Sequence, residues 1–222
     1  MTSFIKKREV LYMLLSRDSL SSMFRSAALL WQENVTRLGE IDSRFGDGDH
    51  GITVGKMAGA ILSRLNGFEN ESIKSFIEGL SSDIMGINGG SAGPLYGTLF
   101  EGLSAPLSDE TEINAPLLKA MFTGAQDALF EITKARVGDK TMMDALIPAV
   151  TAARGAQGDV LAVLNAAAAA AARGCGDTEN MVSKFGRARS YGSQTIGVPD
   201  AGAVSAALLF EGFNNLKGGE QQ

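Results

Sequence analysis

The chain has 222 residues, a formal net charge of −5, and 45% hydrophobic against 20% charged residues. That is enough apolar material to bury a full core in one large domain or two small ones, and the acidic balance excludes a nucleic-acid binder, which needs basic patches. The lone cysteine, Cys175, excludes an internal disulfide framework, and no apolar run reaches membrane-spanning length. With no long apolar core behind its first residues, the chain is expected to be a soluble cytoplasmic protein with no membrane partner.

Residues from about Arg8 to Leu38 read as helix, broken near Asp18-Ser19. Leu20, Met23, Phe24, Ala27, Leu30 and Trp31 recur at helical spacing and belong to the core. Asp18 or Ser19 is placed to cap the second piece, and Gly39 to end it. Then comes Asp42-Ser-Arg-Phe-Gly-Asp-Gly-Asp-His-Gly51, with three carboxylates, three glycines and the only histidine of the chain. Carboxylates so close together repel unless a cation sits among them. Mg²⁺ suits such oxygen ligands and brings substrate phosphates with it. Glycines let a ligand approach the backbone. The stretch is therefore a candidate Mg²⁺–phosphate site. The spelling G-x-G-x-x-G from Gly46 to Gly51 is not a dinucleotide fingerprint, because no apolar strand precedes it. An EF-hand loop from Asp47 would need an acid where Ala58 stands. A P-loop would need Ser or Thr where Met57 follows Gly55-Lys56.

Thr53 to Leu65 forms the next helix, with its anion-favouring start turned to the acidic loop. Residues 69–84 give another amphipathic helix. Gly86-Ile-Asn-Gly-Gly-Ser-Ala-Gly-Pro-Leu-Tyr-Gly97 reads equally as a ligand-approach loop or as glycines for close helix packing. Pro94 suits the first turn of a helix ending near Leu103. Residues 104–114 make a polar surface linker, and 116–136 a helix with Leu117, Leu118, Met121, Phe122, Ala125, Leu129 and Ile132 on one stripe. In Gly138-Asp-Lys-Thr-Met-Met-Asp144, Asp139 or Thr141 is placed to cap a buried helix around Pro148. The alanine run Ala166–Ala172 makes a close-packing helix over 159–173, and Gly174–Asp177 a turn. Phe185 to Gly202 is a polar, glycine-bearing loop in which Arg187 is a natural phosphate partner, while Arg189 reads as solvated. The last helix runs from about Ala201 to Leu216. About eight helices and no convincing alternating strand make the chain all-α, a helical barrel or bundle forming one domain over residues 1–222. The glycine-rich loops fall at helix junctions, as they would if all lay at one end.

Four stretches together resemble the nucleotide-binding L subunit (DhaL family) of the dihydroxyacetone kinases. They are Ile41 to Gly51, Gly89-Gly-Ser-Ala-Gly-Pro-Leu-Tyr-Gly97, Gly138 to Asp144, and Gly186-Arg-Ala with Ile196-Gly-Val-Pro-Asp-Ala-Gly202. Their order and spacing agree over nearly the whole chain. The resemblance implies a barrel of eight antiparallel helices with ATP or ADP at one end. It implies two Mg²⁺ ions on Asp42, Asp47 and Asp49. It implies a nucleotide lined by His50, Gly51, Ile52, Thr53, Ser91, Ala92, Met142, Arg187, Asp200, Ala201 and Gly202. It also implies a partner K subunit that holds the ketone covalently on its own histidine. The chain departs from the usual pattern at Thr53 (commonly Asn), at the Ser91-Ala92 order, after Ala188, and at Ala201 (commonly Pro). These departures bear on the substrate, dihydroxyacetone or a tetrulose, more than on the chemistry.

The expected function is phosphoryl transfer by positioning and electrostatics, from ATP or from ADP rephosphorylated in place by a phosphotransferase-system protein. A second reading is a non-catalytic ADP-binding adaptor that signals to a regulator. A carboxylate-nucleophile phosphatase on Asp47-Gly-Asp49 would need an apolar strand that the chain lacks. With His50 as the only histidine, no covalent substrate or phospho-intermediate is expected on this chain. Its ring is expected to orient a metal-bound or phosphate oxygen, or else to pack and cap the loop.

Overall fold

The computed structural model describes residues 14–216. Within them are nine α-helices: α1 (Arg17–Glu33), α2 (Val35–Asp42), α3 (His50–Leu65), α4 (Ile73–Met85), α5 (Ala92–Ser104), α6 (Ala115–Ile132), α7 (Met143–Gly155), α8 (Val160–Asp177) and α9 (Ala201–Asn214). A two-residue antiparallel ladder pairs β1 (Leu14–Leu15) with β2 (Ile113–Asn114), too short to disturb the all-α reading. Residues 8–13, expected to open the first helix, lie outside the described residues.

The helices close into a ring. Each packs on its neighbours in chain order from α3 to α9, and α9 returns to α1. Only Asn34 separates α1 from α2, and both lie along α3 and α9, so they act as one interrupted rod and the barrel has eight. Short connections between packed neighbours make them run up and down in turn. Every second connection therefore lies at the same rim. One rim carries residues 43–49, 86–91, 133–142 and 178–200, and α3, α5, α7 and α9 all begin there.

Local chemistry explains where the boundaries depart from the periodicity. The helix start expected near Asp18-Ser19 falls two residues earlier, after β1, and a further break that was not expected falls at Asn34. Ser16 caps α1 by accepting from the Ser19 amide, which leaves Asp18 and Ser19 in the first turn. Asn34 donates its side-chain amide to the Leu30 carbonyl at 2.8 Å and competes with the helical ladder. Gly39 does not end α2. Its amide lies against Gly51 of α3, and the helix continues to Asp42. Gly174 to Asp177 is the last turn of α8 rather than a loop, because Gly174 lets α7 pass against it at Asp144. The expected stripe of α1 is buried as Leu20, Met23, Phe24, Ala27 and Trp31, whereas Leu30 is only partly buried; on the α6 stripe Leu117 is likewise only partly buried and Ile132 is exposed. Phe24 meets Phe76 and Phe213 edge-on at 5.3 and 5.4 Å. At well over 1 kcal/mol per buried large side chain, this continuous core holds the rim loops to fixed positions.

Among the described residues, no helix is long and apolar enough to cross a membrane.

Candidate functional site

Asp42 closes α2, Asp47 lies in the following turn, and Asp49 precedes α3. One carboxylate oxygen from each lies within 4.8 Å of the other two. Asp42 accepts from the Gly48 amide at 2.8 Å and lies 3.5 Å from the His50 amide, so the loop is wrapped around its carboxylate. Gly48 takes φ +77°, which a side chain resists. Loss of hydration, then the Asp47 and Asp42 charges, push the Asp49 carboxyl up from its ordinary value. Asp47 goes the other way, held down first by its ion pair with Arg187. Negative charge is thus crowded around one point and partly neutralised by one guanidinium. That donor set, hard oxygens with no sulfur or imidazole, fits Mg²⁺.

Three helix starts face this cluster from α3, α5 and α9. The amides of Gly51 and Ile52, of Ala92 and Gly93, and of Ala201 and Gly202 occupy first turns, where a helix has no internal acceptor for them. They aim the positive ends of the helix dipoles at the rim. The contacts tie the loops to one place. Gly90 (φ +51°) stands against the Asp49 carboxylate, and Gly89 against Thr53. Gly202 packs against Met142, and Asp200 caps α9 by accepting from the Ala203 amide at 2.8 Å. Phe45 and Tyr191, with ring centres 5.2 Å apart, join the acidic loop to the segment carrying Arg187. Asp42, Asp47, Asp49, His50, Thr53, Arg187 and the starts of α5 and α9 therefore belong to one site, with Met142 at its edge.

Not every side chain faces outward. Thr53 is 1% exposed and supports the Gly89 turn. The His50 ring also turns inward. Its Nε2 lies 2.9 Å from Ser205 Oγ, which also lies 2.8 Å from Tyr96 OH and 3.0 Å from the Gly202 carbonyl. Trp31 donates Nε1–H to the Ser205 carbonyl at 2.8 Å. Burial lowers the imidazole below its ordinary value, against the Asp42 charge and the Ala201 backbone. The ring thus fastens α3 to α9, and what His50 offers the rim is its main chain.

The close-packing reading of the 86–97 stretch holds at Gly93 and Gly97. These two admit Ile87 and Met85, whereas Gly89 and Gly90 lie at the rim against Thr53 and Asp49. Sequence reasoning gave no role to Tyr96, although it stands in the 89–97 stretch, or to Ser205, which lies outside every motif. It also placed Asp144 only as a motif end. Asp144 is fully buried and accepts from the Gly138 and Thr141 amides at 2.6 and 2.7 Å, shaping the α6–α7 loop; of the two residues expected to cap α7, Thr141 accepts from the Met143 amide at 3.2 Å, whereas Asp139 turns back to the Arg136 amide at 2.8 Å.

The chain is similar to known proteins over most of its length. The family model described as DAK2 domain matches residues 44–215. The ADP-binding subunit DhaL of PEP-dependent dihydroxyacetone kinase 2 from Listeria innocua is 33% identical over 80% of this chain and 84% of its own. The L-erythrulose kinase of Pectobacterium atrosepticum is 31% identical over 80% of this chain but only 31% of its own. The crystal structure of the dihydroxyacetone kinase of C. freundii superposes with a TM-score of 0.64 at 25% identity, over 87% of this chain and 33% of that one. The chain thus spans about a third of those two kinases and most of the Listeria subunit.

Proposed function

The chain belongs to the DAK2-domain family, and from that premise we propose that it is the nucleotide-binding subunit of a short-ketose kinase, acting in the cytoplasm as one domain. The observation that carries this reading is the carboxylate triad of Asp42, Asp47 and Asp49 facing three helix starts and Arg187. The triad would hold Mg²⁺, as a pair of ions, which when bound neutralises phosphate charge and aligns the phosphoryl group for in-line transfer. The chain's own residues do the rest. The first-turn amides of α3, α5 and α9 bind phosphate oxygens. Arg187 leaves a carboxylate-rich loop within reach of the same anion. Ser91, Ala92, Met142, Asp200, Ala201 and Gly202 line the remaining edge for the nucleotide.

The one imidazole, which would have to hold a ketone covalently on this chain as a histidine does, is engaged with Ser205. The acceptor, dihydroxyacetone or a tetrulose, is therefore presented by a partner K subunit docked over the loop-bearing rim. Relatives of matching length are named as PEP-dependent and ADP-binding. That favours ADP held in place and rephosphorylated by a phosphotransferase-system protein over free exchange of ATP. The same names keep an ADP-binding adaptor as the second reading, since it needs the same site.

Calorimetric titration of Mg·ADP into the wild-type chain and into Asp47→Ala and Asp49→Ala tests the site. The variants lose the magnesium-dependent part of binding, and undiminished binding in both would refute the metal assignment. Adding a K subunit, ketone and phosphodonor then separates kinase from adaptor. Turnover only with the partner supports the kinase reading, and phosphorylation of free ketone by the isolated chain contradicts it.

A further inference from the structure

Lys140 sits in the α6–α7 loop and is only 4% exposed. Its ammonium donates to four main-chain carbonyls: Thr178 at 2.8 Å, Met181 at 3.1 Å, Thr195 at 2.6 Å and Val198 at 2.7 Å. Three protons serve four acceptors, so one is shared. No carboxylate is hydrogen-bonded to it among the described residues; Asp200, Glu179 and Asp144 supply negative charge at longer range. Its φ of +60° makes it the single non-glycine residue in the left-handed region among the described residues. A lysine held there, against the usual clash of Cβ with the backbone, is held by what its side chain binds.

The four acceptors fall in two pairs. Thr178 and Met181 precede an excursion of the chain, and Thr195 and Val198 follow it. Two more bonds cross the same base: the Ser183 amide to Thr195 Oγ1 at 3.1 Å, and the Gly197 amide to the Glu179 carbonyl at 2.7 Å. Arg187, which pairs with Asp47, rides on the excursion. Carbonyl dipoles converging on a point charge are how proteins hold potassium. Here the chain supplies the cation itself.

We propose that Lys140 is a positioning residue whose ammonium acts as a built-in monovalent cation, closing the base of the 182–194 loop and so setting Arg187 against Asp47. The consequence for nucleotide binding rests on the reading of the site given above.

The test uses the full chain. In Lys140→Ala, hydrogen exchange at the Ser183 and Gly197 amides speeds up about ten- to hundredfold, as loss of charged hydrogen bonds predicts, while amides in the middle of α6 and α8 keep wild-type rates. Mg·ADP affinity falls by a similar factor. Ammonium or potassium chloride in excess restores both, and tetramethylammonium chloride, too large for the cage, restores neither. In an Arg187→Ala background the same substitution weakens Mg·ADP by less than about twofold, because the residue it positions is gone. If Lys140→Ala folds only with ammonium or potassium present, the cage is likewise supported. Unchanged exchange, a defect that neither small cation reverses, or full additivity with Arg187→Ala overturns the proposal. A wild-type chain that binds no Mg·ADP would refute the nucleotide reading alone, and the exchange and cation measurements would still judge the cage.

Discussion

Helices α2 and α3 approach each other through bare backbone, and Gly51→Ala measures how much the site depends on it. Gly51 is buried in the first turn of α3. A methyl group there would stand 2.7 Å from the Gly39 amide nitrogen and closer still to the Val35 carbonyl. Ordinary contact needs ~3.5 Å or more, so the two helices must part by roughly 1 Å. Both obstructing groups are main chain and cannot rotate away, which places the cost near the upper end of overpacking, about 3 kcal/mol. For a chain of this size that lowers the melting temperature by about 6–12 °C. Gly59→Ala is the internal control. It lies on the same helix, exposed, with nothing within 4 Å of the added atom. Ala is the better helix former by about 1 kcal/mol, so this variant should melt level with wild type or about 1–4 °C higher. The assay is thermal unfolding by circular dichroism, followed by Mg·ADP titration. Gly51→Ala should also bind more weakly, because α2 carries Asp42 and α3 carries the amides it orders. Equal melting of the two variants would show that the close approach does not exist.

Ser205→Ala leaves Tyr96 OH and His50 Nε2 short of a partner in a buried setting. It should destabilise the chain by about 2–4 kcal/mol, against about 1 kcal/mol for Tyr96→Phe; urea unfolding distinguishes them, and equal effects would contradict the shared hydroxyl. Asp200 keeps a little accessible surface, yet dense packing strips its carboxyl of hydration and pushes it up to about 7, reinforced by the Asp144 and Asp42 charges and opposed by the Ala203 amide and Lys140. A raised carboxyl favours folding while protonated, so its contribution is full below about pH 4 and is lost as pH rises through 7. Asp200→Asn can keep the cap on Ala203 and should therefore gain stability relative to wild type between pH 5 and 8, roughly the window of that shift. Parallel melting curves across that range would refute it.

Much of this was legible because the chemistry is local. Three aspartates within eight residues, beside glycines at a helix junction, state a charge problem that sequence alone exposes. The capping residues Asp159, Asn114 and Ser72 did not stand out, though each accepts from an amide three residues on. The break at Asn34 was not foreseen because a single side-chain amide bonding back to Leu30 leaves no trace in periodicity. Lys140 and Ser205 were invisible for a different reason. Their partners lie 38 to 58 residues away for Lys140, and 155 for the Ser205–His50 bond. An isolated lysine or serine reads as surface until the ring of helices brings those partners together. His50 was found for its company of carboxylates, but the direction of its ring is decided by α9, not by its neighbours in sequence.

The up-and-down ring has a consequence for how such a chain can change. Which rim a loop occupies depends only on whether an even or an odd number of rods precedes it. Inserting or deleting one rod would leave every later helix with a compatible apolar face yet send every later loop to the opposite rim, separating Arg187 and Asp200 from the three aspartates. Rods can therefore be gained or lost here only in pairs, and the connections at the other rim, 66–72, 105–114 and 156–159, are where length, a tag or a fused module can be added without touching that count.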